Sequence, residues 1–96
     1  MIPKNRSRVH PGEILNEEFL KPLGVTQSEF AKHFGWSHAK INEIVNGKRG
    51  ISPEVALSLS DALGTSAELW LNLQKSYDLW HAKQSYKPIK KLKKVA

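Results

Sequence analysis

Apolar side chains along this chain recur at steps of three and four residues and never alternate over a useful length, a pattern that predicts helices and no strands. Five helices fit it. Pro11 suits a first helical position, and Ile14, Leu15, Phe19 and Leu23 follow a helical stripe that Pro22 and Gly24 interrupt, so the first helix is expected to end near Leu20. Thr26-Gln-Ser-Glu29 has the form of a capping box, with Val25 and Phe30 at hydrophobic-staple positions, and the second helix that it opens stops at Gly35. Ser37 caps the third, with Trp36 and Ile41 as a second staple pair. Ile41, Ile44 and Val45 face inward, and Asn46-Gly47 tolerates the left-handed backbone of a helix end. Ser52-Pro53 opens a fourth helix, with Val55, Leu59, Ala62 and Leu63 on one side and Gly64 at its end. Thr65-Ser-Ala-Glu68 has the form of another capping box. The fifth helix that it starts places Leu69, Leu73, Tyr77 and Trp80 within an arc of about 80°, at about 100° per residue, a stripe shaped for burial. The expected fold class is all-α.

With 96 residues and 40% hydrophobic content, the chain can bury one core and leaves no room for a second domain. It is expected to divide into a flexible basic arm over residues 1–9, a helix-turn-helix core over 10–64, a C-terminal helix over 65–85 and a disordered Lys-rich tail over 86–96. Lys4, Arg6 and Arg8 make the arm basic, and Lys87, Lys90, Lys91, Lys93 and Lys94 do the same for the tail. Fifteen Lys and Arg against nine Asp and Glu give a formal charge of +6, which points to a polyanionic partner. Nucleic acid, an anionic membrane surface and an acidic protein all meet that description. The absence of cysteine excludes disulfides, thiolate metal sites and a cysteine nucleophile, and suits a reducing compartment. No apolar run is long enough to span a bilayer, and the opening residues lack the apolar stretch of a signal peptide. A cytoplasmic protein, associated with the nucleoid where its partner is DNA, is expected.

Two helices joined by so short a turn cannot lie antiparallel. They cross steeply, which offers the second of them to a groove of DNA. The stretch from Gln27 to about Asn46 meets the packing demands of that arrangement. Ala31 is small where the helices approach, Gly35 supplies the turn, and Phe30, Phe34, Ile41 and Ile44 make a shared core. On these residues the chain resembles the phage-repressor-like (XRE) helix-turn-helix family over roughly residues 11–64. A closer resemblance, to the HigA-type antitoxins also called virulence-associated protein I, covers nearly all of residues 10–80. It is carried by His10-Pro-Gly-Glu-Ile-Leu15, by Asn46-Gly-Lys-Arg-Gly-Ile-Ser52, and by Leu69-Trp-Leu-Asn-Leu-Gln74 with Tyr77-Asp78. The family motif implies Gln27 as a phosphate contact and His38, Ala39, Lys40, Asn42 and Glu43 as the groove-facing start of a recognition helix. The antitoxin resemblance implies a protein that represses its own operon and neutralises a HigB-type, ribosome-dependent mRNA endonuclease.

The residues give their own reasons for a groove. Asn42 can pair with the N6 and N7 edge of adenine, Lys40 can donate to guanine, and His38 can reach a base edge. Ser37, Asn46, Lys48 and Arg49 are better placed for phosphates, which fix register and carry the salt dependence. Glu43 would repel phosphate unless it accepts from a cytosine amino group or points away. The plainer alternative is a polar helix face that is simply solvated. Metal and cofactors are not expected: His33 and His38 lie about 140° apart on a helical projection with a turn between them. Nor is an enzyme, because Glu17 and Glu18 point apart and Glu43, Asp61 and Glu68 sit on separate elements.

Leu69, Trp70, Leu73, Tyr77 and Trp80, with Leu79 beside them, suit either a core or a homodimer interface. Three tryptophans are hard to bury in one small domain, which favours the dimer. A dimer would set two recognition helices about 34–36 Å apart over an inverted repeat. Two other functions stay open at this point: a free-standing transcriptional regulator without a toxin partner, and a protein–protein adaptor that keeps the fold without binding DNA.

Overall fold

Each of the five helices in the computed structural model, which describes residues 9–94, begins where a side chain takes up an amide that has no partner inside the helix. Helix α1 opens at Pro11, and its cap is His10, whose Nδ1 accepts from the Gly12 amide at 2.9 Å. Helix α2 (Gln27–Phe34) carries the expected capping box: Thr26 Oγ1 accepts from the Glu29 amide at 3.0 Å, and the Glu29 carboxylate accepts from the Thr26 amide at 2.9 Å. That backbone hydrogen bond holds the Glu29 carboxyl below its ordinary pKa. Ser37 caps α3 (His38–Val45) and Ser52 caps α4 (Pro53–Leu63). Helix α5 (Ala67–Ser85) is capped by Ser66, one residue later than the Thr65 box expected from the sequence. The Thr65 hydroxyl accepts instead from the Trp70 indole at 2.7 Å, because an indole N–H taken out of water needs an acceptor.

Helix α1 is longer than its proline suggested. It comprises Pro11–Ile14, a π-helical stretch Leu15–Leu20 and a last turn Lys21–Leu23, so the expected end near Leu20 is corrected. The Lys21 amide donates to the carbonyl of Asn16, five residues back rather than four. This wider turn just ahead of Pro22 relieves the crowding between a proline ring and the preceding turn that otherwise breaks a helix. Gly24, with φ 68°, then ends the helix in the left-handed region.

The core gathers Leu15 and Leu20 from α1, Phe30 and Ala31 from α2, Ile41 and Ile44 from α3, Ile51, then Val55, Ala56 and Leu59 from α4, and Trp70 from α5. Burying each large member contributes about 1.5–3 kcal/mol. The approach of α1 to the last turn of α3 is closest at Gly12, where a Cβ would fall 1.6 Å from the carbonyl oxygen of Ile44. Any side chain there would push the two helices apart. The stripe expected on α5 turns inward at Leu73, Tyr77 and Trp80, but at its start Trp70 takes the place expected of Leu69. Trp70 is the residue fully enclosed, against Phe19 at 5.5 Å between ring centres, while Leu69 stays 39% exposed. Among the described residues no helix is long and apolar enough to cross a membrane.

Candidate nucleic-acid interface

The turn between α2 and α3 is set by Gly35, which at φ 72° ends α2 in a conformation that other residues resist. The Trp36 amide reaches back to the Ala31 carbonyl at 2.9 Å and the Gly35 amide to Lys32 at 3.1 Å, satisfying carbonyls that the helix end would leave bare. Only Gly35, Trp36 and Ser37 separate the helices. Buried Phe30, Ala31, Ile41 and Ile44 lock them together, so one edge of α3 is committed inward and the opposite edge outward. Phe34 is half-buried beside them. It meets Phe30 edge-on at 4.7 Å and stacks on Trp36 at 4.3 Å.

On the outward edge His38, Ala39 and Asn42 are exposed. Asn42 is also held in place. Its Nδ2 donates to Gln27 Oε1 at 3.2 Å, and its Oδ1 accepts from Asn46 Nδ2 at 3.1 Å. A chain of three amides thus runs from the start of α2 to the end of α3, and it leaves Asn42 one N–H and one lone pair for a further partner. Lys40 is less free than its place in the sequence implied: its Nζ lies 4.1 Å from the centre of the Trp36 ring, and the residue is half-buried. Ser37 Oγ is engaged as the cap of α3, accepting from the Lys40 amide at 3.1 Å.

Glu43 and Arg49 neutralise each other. Arg49 Nε and Nη2 both donate to one carboxylate oxygen of Glu43, at 2.9 and 2.7 Å. The repulsion that Glu43 would bring to a phosphate is thereby answered within the chain, and Arg49 is no longer a free cation for the backbone. Of the basic loop after α3, Lys48 stands exposed without such a pairing. The loop itself is tied down. The amides of Lys48 and Arg49 donate to the Glu43 carbonyl, and the Ile51 amide donates to Gln74 Oε1 of α5 at 2.8 Å.

The expected dimer residues separate into two groups. Trp70 belongs to the interior of its own subunit, which corrects its assignment to an outer interface: the ring is fully enclosed and its N–H already has Thr65. Leu73 is partly buried against the core. Tyr77 and Trp80 are half-buried on the far half of α5, where His81 packs against both rings at 4.4 and 5.1 Å. Leu79 beside them is 53% exposed. Three residues that support the site were not identified from single-residue chemistry: His10, Gly12 and Gln74. A buried histidine and a helical glycine carry no local signal, and their only trace in the sequence is the His10-Pro-Gly12 and Gln74 segments of the family resemblance. Among the described residues no group of three His, Cys, Asp or Glu side chains is gathered to hold a metal.

A three-residue turn, a packed inner edge and a polar second helix standing clear of the core define a helix-turn-helix of the repressor type. The helix-turn-helix family model matches residues 17–70. The chain belongs to this family, in the phage-repressor-like group that includes the HigA-type antitoxins. It is 47% identical over 81 residues to virulence-associated protein I of Dichelobacter nodosus, across 84% of this chain and 75% of that protein. Against antitoxin HigA-1 of Vibrio cholerae serotype O1 the identity is 37% over 86 residues, across 90% and 81% of the two chains. The antitoxin HigA of Pseudomonas aeruginosa, solved with the higBA promoter, superposes with a TM-score of 0.78 at 38% identity, covering 81% of this chain and 85% of that one.

Proposed function

We propose that this protein is an antitoxin that binds an inverted-repeat operator as a homodimer, represses its own operon and neutralises a HigB-type mRNA endonuclease. The observation that carries the reading is the outward edge of α3, where exposed His38 and an oriented Asn42 stand clear of their own subunit. The relative solved with its promoter supports DNA as the partner, and the HigA names support the antitoxin role. Base reading falls to His38, Ala39 and Asn42, with Lys40 steered by Trp36 and Glu43 held aside by Arg49. Phosphate anchoring falls to Gln27, Ser37 and above all Lys48, with Asn46 acting through Asn42. Co-expression tests the antitoxin half. A ribonuclease-like product of a neighbouring reading frame should arrest growth alone and lose that effect when this chain is present. Arrest that persists would leave a free-standing regulator.

The division between Lys48 and Arg49 makes a quantitative expectation. Lys48→Ala should reduce the slope of log affinity against log salt by about 1 per binding subunit, because one counterion-releasing contact is lost. Arg49→Ala should lower affinity and flatten the slope less than Lys48→Ala does, since it removes no phosphate contact and uncovers a Glu43 charge whose repulsion salt screens. Equal slope changes in the two variants would show that the Glu43–Arg49 pair opens on DNA.

Dimerisation is assigned to the outer half of α5. Trp80→Ala should shift the sedimenting species from dimer toward monomer, because exposed Leu79 and half-buried Trp80 offer an apolar surface there. An unchanged mass would mean that Trp80 packs only within its own chain.

A further inference from the structure

His10 is the buried polar side chain among the described residues, 8% exposed, and it sits where four parts of the fold meet. Its Nδ1 caps α1 through the Gly12 amide. Gly12 in turn lies against the Ile44 carbonyl at the end of α3. The imidazole meets Tyr77 of α5 edge-on, at 4.8 Å and 83°. On its remaining side lies Gly47, at φ 74°, where a Cβ would stand 3.5 Å from His10 Cγ. Gly47 begins the loop that presents Lys48.

We propose that neutral His10 is a positioning residue for DNA binding, holding the Gly47–Arg49 loop in place, and that its protonation releases that loop. The inference rests on the DNA-binding reading given above. An Nδ1 that accepts from Gly12 carries no proton, so the proton of the neutral ring is on Nε2. A second proton has to enter at Nδ1, where it meets the Gly12 N–H head-on, and the cap is lost.

The charged groups around the ring decide where the imidazolium goes. Asp78 on α5 attracts it, Lys48 on the loop lines the same cleft, and Glu43 of α3 is already paired with Arg49. On α1 the nearest carboxylate in sequence, Glu13, is exposed, while Tyr77 presents its ring and His81 packs behind Tyr77. Movement toward Asp78 competes with Gln74, whose Nε2 donates to Asp78 at 2.9 Å while its Oε1 holds the Ile51 amide. Both ends of the loop therefore loosen together: Gly47 loses the ring beneath it, and Ile51 loses a fixed acceptor.

The sign follows from burial. Desolvation lowers the His10 pKa below 6.5, against a smaller opposing pull from Asp78. The folded protein therefore resists the proton more than the unfolded chain does. The stabilisation from His10 is complete above the ordinary value and disappears as pH falls through the lowered one.

The test compares wild type with His10→Asn, a residue that can cap a helix but does not titrate. The probe is the duplex of about 20 base pairs that wild type selects from a randomised pool. Between about pH 8 and pH 5, wild type should lose about ten-fold in affinity, and His10→Asn should lose less than about three-fold. His38→Gln weakens binding at every pH but should keep the same proportional loss as wild type, which separates His10 from the histidine on the exposed edge. In the NMR spectrum of wild type without DNA, the Gly12 and Gly47 amides should titrate with the His10 Cε1 proton. Identical pH profiles for wild type and His10→Asn, or a Gly47 amide that ignores the His10 titration, would overturn the proposal. Failure of wild type to prefer any duplex would sink the DNA-binding reading instead, while the amide titration would still report on the His10–Gly47 contact.

Discussion

Trp70→Ala should destabilise the fold by about 3–5 kcal/mol, a large fraction of the roughly 5–15 kcal/mol that holds a domain of this size together. Trp70 is fully enclosed, so truncation creates a cavity between Phe19 of α1 and the start of α5. It also removes the donor that Thr65 accepts, which lies next to the Ser66 cap. Urea unfolding followed by circular dichroism measures the effect directly. Thr65→Val separates the two components. It keeps the indole in place but strips its acceptor, and should cost about 1–3 kcal/mol for an unsatisfied buried N–H. A Trp70→Ala protein that unfolds at the wild-type midpoint would mean that α5 is not anchored through this ring.

Asn42→Ala should lower affinity for the selected duplex by about 1–3 kcal/mol, or about 5- to 150-fold, while affinity for an unrelated sequence changes little. The amide is exposed and keeps one donor and one acceptor after its bonds to Gln27 and Asn46, the pair that an adenine edge requires. Its neighbours fix how it is presented, so the loss should fall at particular base pairs, readable by binding to single-base variants of the duplex. Equal losses on specific and unrelated DNA would place Asn42 among the phosphate contacts. No loss on either would mean that the polar edge of α3 is only solvated.

The helices themselves were legible because their signals are local. A serine or threonine ahead of an apolar periodic run, and a glycine after it, act within one turn of chain. The capping box at Thr26 and the caps at Ser37 and Ser52 appear where the sequence placed them. Two local readings failed for non-local reasons. Thr65 could not cap α5 because Trp70 needed its hydroxyl. Pro22 did not end α1 because the chain there adopts a wider turn, which no propensity encodes.

The candidate site divides along the same line. That His38 and Asn42 face outward follows from the spacing of Ile41 and Ile44, since one side of a helix buried by periodicity leaves the other to solvent. Partnerships between distant residues do not follow from periodicity. Gln27 and Asn42 are fifteen positions apart, and Ile51 and Gln74 are twenty-three. Glu43 with Arg49, and Lys40 with the ring of Trp36, are nearer in sequence but depend on how a turn folds back.

Caps and apolar spacing act over a few residues, and they are enough to specify an all-α chain with a helix-turn-helix and a polar edge on its second helix. Which polar groups are spent on one another, that Trp70 belongs inside, and that His10 lies beneath the basic loop were fixed by packing. Those outcomes depend on which surfaces meet when five helices close around one core, and a linear pattern does not carry that geometry.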